Sequence, residues 1–179
     1  IIPWDIDFVL GSGSDGPTTD VFGANDPTVS KLWNTPAFRR MYWRAFQDAI
    51  NGPLRADRIG PVLDARYAAL RANGANLIEP GPIKSWVESR RNYLAGRLAS
   101  EDTATFAITS NGGADFSTPS GVVTLTGTAP VAGAVIEVNG IAYPVTWSNA
   151  RTWSLAYPLR SGANALTVTA RDLRGNVIA

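Results

Sequence analysis

Neither cysteine nor histidine occurs anywhere in this 179-residue chain. Without cysteine there are no disulfides, no thiolate nucleophile and no sulfur-ligated zinc. Without histidine there is no Ser-His-Asp catalysis, no imidazole-ligated metal and no histidine base. An excess of charge is also absent: 16 Lys+Arg face 15 Asp+Glu, a formal net charge of +1. Nucleic acid and anionic membrane surfaces call for a strongly basic face, so the charge balance argues for neither. No apolar run approaches the roughly 20 residues that cross a bilayer. No secretory leader stands at the start either. The chain opens on Ile1 and closes on Gly175-Asn176-Val177-Ile178-Ala179. Both ends read as the interior of a longer protein, so missing targeting segments carry no information on location. Any chemistry must use carboxylates, Lys, Arg, Tyr, Ser/Thr or an oxygen-bound metal.

What is present falls into two halves. Hydrophobic residues make up 45% of the chain, enough for a real core. Residues 1–100 hold 12 of the 16 Lys+Arg and 10 of the 15 Asp+Glu, with Arg, Ala and Leu prominent after residue 26. Residues 101–179 are rich in Thr, Val, Gly, Ala and Asn, as strands and tight turns require. Two domains are expected, joined near residues 99–105. In the first, residues 1–11 alternate apolar and acidic, as a short strand does. A flexible loop of Gly and Ser follows. Asp26-Pro27 and Thr35-Pro36 each place a capping residue before proline, the start of a helix. The first helix is expected over 28–33. The second carries Phe38, Met41, Tyr42, Ala45, Phe46, Ala49 and Ile50 as one buried stripe and ends at Asn51-Gly52-Pro53. A third is expected over 62–72 and a fourth over 82–98. In the second half, strands are expected at 122–127, 134–138, 141–145, 152–157 and 165–170. Asn139-Gly140 is a hairpin turn. Turns every ten residues or so are the rhythm of an all-β sandwich.

Asp5 and Asp7 are the first candidates for chemistry. Two residues apart on an extended strand, they project to one face. Facing carboxylates repel unless a cation bridges them, and a hard divalent ion such as Mg²⁺ or Mn²⁺ takes oxygen ligands. The plainer alternative is a pair of surface or capping acids at a strand end. Gly11-Ser12-Gly13 lacks the lysine of a phosphate-binding loop and reads as a connector. Asp15 and Asp20 read as loop acids and Asp26 as a cap. Arg39-Arg40 and Arg90-Arg91 could clamp phosphates, but paired arginines on amphipathic helices usually give one solvated charge and one salt bridge. Trp33, Trp43 and Trp86 read as core. Trp147 and Trp153 could form a sugar platform, although Trp153 alternates with Leu155 and Tyr157 as a core residue does. Asp115 and Asp172 could bind calcium but sit in turn sequences.

The stretch Pro3-Trp4-Asp5-Ile6-Asp7-Phe8 resembles the Trp-Asp-x-Asp segment of the CotH kinase family, the atypical kinases similar to spore coat protein H. Leu32-Trp33-Asn34-Thr35-Pro36-Ala37-Phe38-Arg39-Arg40-Met41-Tyr42 resembles the leader and Pro-x-Phe-Arg-x-x-Tyr helix of that family. Trp86-Val87-Glu88-Ser89-Arg90-Arg91-Asn92-Tyr93-Leu94 is similar to its closing helix. The three occur in order across residues 1–100. Residues 106–179 resemble the bacterial Ig-like repeats of large secreted proteins, through Ile108-Thr109-Ser110-Asn111-Gly112-Gly113, the 123–130 strand, Val138-Asn139-Gly140 and Asp172…Gly175-Asn176. The resemblance implies the C-terminal helical part of a kinase-like domain joined to an Ig-like β-sandwich. It implies transfer of the γ-phosphate of ATP to Ser or Thr of a protein substrate, with Mg²⁺ or Mn²⁺. Carried over, Asp5 and Asp7 are the catalytic metal-binding acids. The family's nucleotide-lobe lysine and Asp…Asn catalytic loop would precede Trp4. This piece alone is therefore expected to be inactive as a kinase. The alternative is a non-enzymatic surface or adhesion protein with a kinase-like scaffold and an Ig-like binding module. Either way the resemblance implies an extracellular or envelope location in a bacterium.

Overall fold

The computed structural model describes residues 10–11, 13, 15–23 and 26–179. The strand expected over 1–11 lies almost wholly outside the described residues. Four helices come first: α1 (Pro27–Asn34), α2 (Pro36–Asn51), α3 (Ala56–Ala72) and α4 (Gly81–Glu101). Seven short strands follow: β1 (Ala107–Ile108), β2 (Val122–Thr128), β3 (Val135–Val138), β4 (Ile141–Tyr143), β5 (Thr146–Trp147), β6 (Thr152–Pro158) and β7 (Val168–Arg171). The fold is thus mixed, helices and two antiparallel sheets. One sheet runs β1-β2-β6-β5 and the other β4-β3-β7.

By packing, the chain divides into two units. One comprises Ile1–Pro27 with Ala45–Ala99, the other Thr28–Arg44 with Ser100–Ala179. In the first unit, Val87 and Leu94 of α4 are buried one helical repeat of seven apart, with Ile50 of α2 also inside. Helix α3 begins at Ala56, six residues earlier than expected, and carries Pro61 inside it. Its first turn is held by Arg58 and Ile59 N–H groups donating to the Arg55 carbonyl. Proline at 61 therefore interrupts a helix already nucleated instead of starting one.

In the second unit the strands bury alternate residues. Val123 and Leu125 of β2, Ile136 and Val138 of β3, Trp153 and Leu155 of β6, and Ala170 of β7 form one cluster drawn from both sheets. Asn139 and Gly140 both take positive φ, +52° and +77°, and close the β3–β4 hairpin as the sequence indicates. The single strand expected over 141–145 is two. Pro144 has no N–H to donate to a ladder. The chain leaves the three-stranded sheet there and joins the other sheet as β5, where Thr146 opposes Ser154 and Trp147 opposes Trp153.

The apolar stripe expected on α2 is displaced. Phe38 and Met41 are exposed, whereas Arg40 and Trp43 are each only 1% exposed. Arg40, Trp43 and Ile50 follow the three-and-four spacing of a buried face, so an arginine occupies a core position.

Candidate functional site

Asp5 and Asp7 lie outside the described residues. Of the loop that follows them, residues 10–11, 13 and 15–23 are described, and α4 contacts them at Gly11, Pro17, Thr19 and Asp20. At Gly11, where φ is +97°, a Cβ would stand 3.1 Å from Cδ1 of Trp86. Glycine thus serves both the turn and the close approach to the indole. One turn further along α4, Nη1 of Arg90 donates to the carbonyls of Pro17 (3.1 Å) and Thr19. The same guanidinium lies 5.2 Å from the Tyr93 ring centroid. Arg97 faces the Asp20 carboxylate at 3.7 Å on the surface. Arg91 donates from Nε to the Ile50 carbonyl at 2.9 Å, in the last turn of α2, where a cation meets the negative end of the helix.

Arg40 makes the most extensive polar contacts of the other unit. Nη1 donates to the carbonyls of Ala129 (3.3 Å) and Ala150. Nη2 donates to those of Pro130 (2.7 Å) and Gly133 (2.6 Å), with the Val131 carbonyl at 3.5 Å. The guanidinium carbon sits 3.5 Å from the centroid of the Trp147 ring. Only Nε has no acceptor. Burial pushes the Arg40 pKa down to about 10, the Arg44 cation adds to this, and the Asp102 carboxylate opposes it. Asp102 also accepts the Val131 N–H at 2.6 Å, which fixes the carbonyl-bearing turn that Arg40 enters. Its neighbour Arg39 pairs with Glu101 at 3.1 Å.

These contacts decide several sequence candidates. The expected solvated charge of the Arg39-Arg40 pair does not exist at Arg40, because the helix turns that residue inward with Trp43. All four candidate arginines are engaged by backbone carbonyls or a carboxylate. The sugar platform is not formed: Trp153 is 1% exposed and Trp147 has a face against Arg40. Asp172 caps its own turn. Its carboxylate accepts the N–H groups of Arg174 and Asn176 and the Asn176 side-chain amide, and that amide holds its pKa below the usual range. Among the described residues, no group of three or more acids could hold a metal ion. No helix there is long and apolar enough to cross a membrane. The clamp at Arg40 is what sequence reasoning missed. Its signal was available: Arg40 stands three residues before Trp43 and ten before Ile50.

Searches of protein-family models, curated proteins and solved structures return no match to this chain.

Proposed function

We propose that residues 1–100 belong to a CotH-like phosphotransferase lobe, with Asp5 and Asp7 holding Mg²⁺ or Mn²⁺ against the phosphates of ATP. The phosphoryl group goes to Ser or Thr of a protein, and residues 106–179 form an Ig-like module of the same extracellular or envelope protein. One observation supports this most: Trp86 and Arg90, both in the closing-helix motif, hold the loop that directly follows the Asp-x-Asp motif. The closing-helix segment and the chain that comes after the Asp-x-Asp motif thus touch at Gly11, Pro17 and Thr19. The donor set fits a hard cation, since both groups are carboxylates and one extended strand would present them together. Bound there, the metal would supply neutralisation of phosphate charge, the main need of phosphoryl transfer. The chain's own part is to hold the loop after Asp7 in place through α4.

A titration with Mn²⁺ tests the metal reading. Mn²⁺ is expected to protect residues 10–20 from proteolysis, and the double variant Asp5→Asn, Asp7→Asn to lose that protection with helicity unchanged. Absence of protection in the intact chain would leave the second reading, a non-enzymatic surface protein on a kinase-like scaffold. What favours that second reading is the engagement of Arg39, Arg40, Arg90 and Arg91 in internal contacts.

A further inference from the structure

Asparagine followed by glycine is a chemically exposed step in any chain. The side-chain amide can close a five-membered ring onto the next backbone nitrogen, and glycine has no Cβ to obstruct it. This chain has four such steps: Asn51-Gly52, Asn73-Gly74, Asn111-Gly112 and Asn139-Gly140. All four asparagines are exposed, so access to water does not separate them. Hydrogen bonding does. Ring closure needs Cγ to swing onto the glycine nitrogen, so every bond that holds the side-chain amide or the glycine N–H opposes it.

Three of the four are held. Asn73 donates from Nδ2 to the Ala69 carbonyl at 2.8 Å, and the Gly74 N–H donates to the Arg71 carbonyl at 3.0 Å. Asn111 donates to the carbonyls of Ala114 (3.3 Å) and Asp115 (2.9 Å), and the Gly112 N–H to that of Thr109 at 3.1 Å. At Asn139 both ends of the amide are engaged: Oδ1 accepts the Thr167 N–H at 2.8 Å and Nδ2 donates to the Ala165 carbonyl at 3.2 Å. Asn51, the last residue of α2, differs. Among the described residues no hydrogen bond engages its side chain. The Gly52 N–H reaches the Ala49 carbonyl only at 3.4 Å, longer than an ordinary N–H···O bond. Pro53 follows and has no N–H with which to tighten the helix end. Packing also keeps glycine at this step, because a Cβ at 52 would stand 2.7 Å from the Asp48 carbonyl oxygen.

We propose that Asn51 is a site of spontaneous covalent modification in the folded protein, and that the fold protects the other three. The Gly52 nitrogen attacks Cγ of Asn51. The N–Cγ bond forms, the Cγ–Nδ2 bond breaks, and Nδ2 leaves as ammonia with the proton of the Gly52 amide, passed through water. Water then opens the succinimide at either carbonyl and leaves aspartate or isoaspartate at 51. Either product places a carboxylate at the negative end of α2, next to the Ile50 carbonyl that Arg91 holds, and takes the formal net charge from +1 to 0.

The test is ageing of the folded chain in mildly alkaline buffer, followed by peptide mapping, ammonia release and isoelectric focusing. Asn51 is expected to convert at least about tenfold faster than each of the other three, with a more acidic band appearing in step. Asn51→Gln should abolish both the early ammonia and the early band. In concentrated guanidinium chloride, where no side chain is held, the lead of Asn51 should disappear. Conversion of another site first, undiminished early ammonia from Asn51→Gln, or a lead that persists in denaturant would each overturn the proposal. The last would mean that the neighbouring sequence, and not the hydrogen bonding, selects the site.

Discussion

A guanidinium carries five N–H donors in a planar fork, and Arg40 uses four of them on main-chain carbonyls. Its charge has no carboxylate within ion-pair reach among the described residues. The dipoles of the Ala129, Pro130, Gly133 and Ala150 carbonyls, with the Trp147 ring, take that place. Removing it leaves buried acceptors without donors, so Arg40→Ala should cost about 3–5 kcal/mol of stability in chemical denaturation. Arg40→Lys should give a different signature. The native arginine, with a pKa of about 10, stays charged in both states below that pH, so it adds no pH dependence there. A lysine starts near 10.4 in the unfolded chain, and the same burial would lower it in the folded one. The unfolded state then binds more protons, and stability rises with pH. The Tm of Arg40→Lys should therefore climb from about pH 7 to pH 9 while that of the parent protein does not change through this group. A flat profile for the lysine variant would mean its ammonium escapes to solvent.

At the scale of elements, β2 and β6 pair over seven residues, from Val122 opposite Pro158 to Thr128 opposite Thr152. Gly127 sits where a Cβ would collide with the Ala107 carbonyl and the Trp153 indole. Neither neighbour can retreat: one is the backbone of β1 and the other a buried ring whose Nε1 donates to the Thr128 carbonyl at 3.1 Å. Gly127→Ala should destabilise the sheet by about 1–3 kcal/mol, read as a lower denaturant midpoint and altered near-ultraviolet dichroism. Much at this scale was legible in the sequence. The Thr35-Pro36 start of α2 and the Asn139-Gly140 turn each rest on local chemistry, and local chemistry is what a sequence displays. Two features were not. Apolar character points the stripe on α2 to Phe38 and Met41, yet the helix buries Arg40, whose carbonyl partners lie 89 to 110 residues away. The division of 141–145 was missed because Pro144 excludes a ladder position without saying which sheet receives the chain next. Of the candidate site, the Asp5–Asp7 pair and its loop were legible as a motif. The grip of Arg90 on Pro17 and Thr19 was not, since carbonyl acceptors have no signature in sequence.

For the molecule as a whole, the clamp makes a statement about where a foldable piece begins. Residues 28–44 pack with residues 100–179, and Arg40 satisfies carbonyls that would otherwise be buried and unmet. A piece comprising 100–179 alone should melt well below the full chain's β unit, and Arg40→Ala in the full chain should reproduce part of that loss. Equal melting of the isolated piece, followed by tryptophan fluorescence, would mean that water replaces the guanidinium without penalty.

The acceptors of Arg40 are all main-chain oxygens, which every residue type provides. A library randomised at 130, whose side chain is only partly buried, and selected for folding should thus return many solutions there as long as the turn keeps its path, while position 40 returns arginine. Contact-finding methods that look for paired changes between positions would then see nothing joining α2 to the 129–133 turn, although one of the most densely hydrogen-bonded side chains in the protein does so.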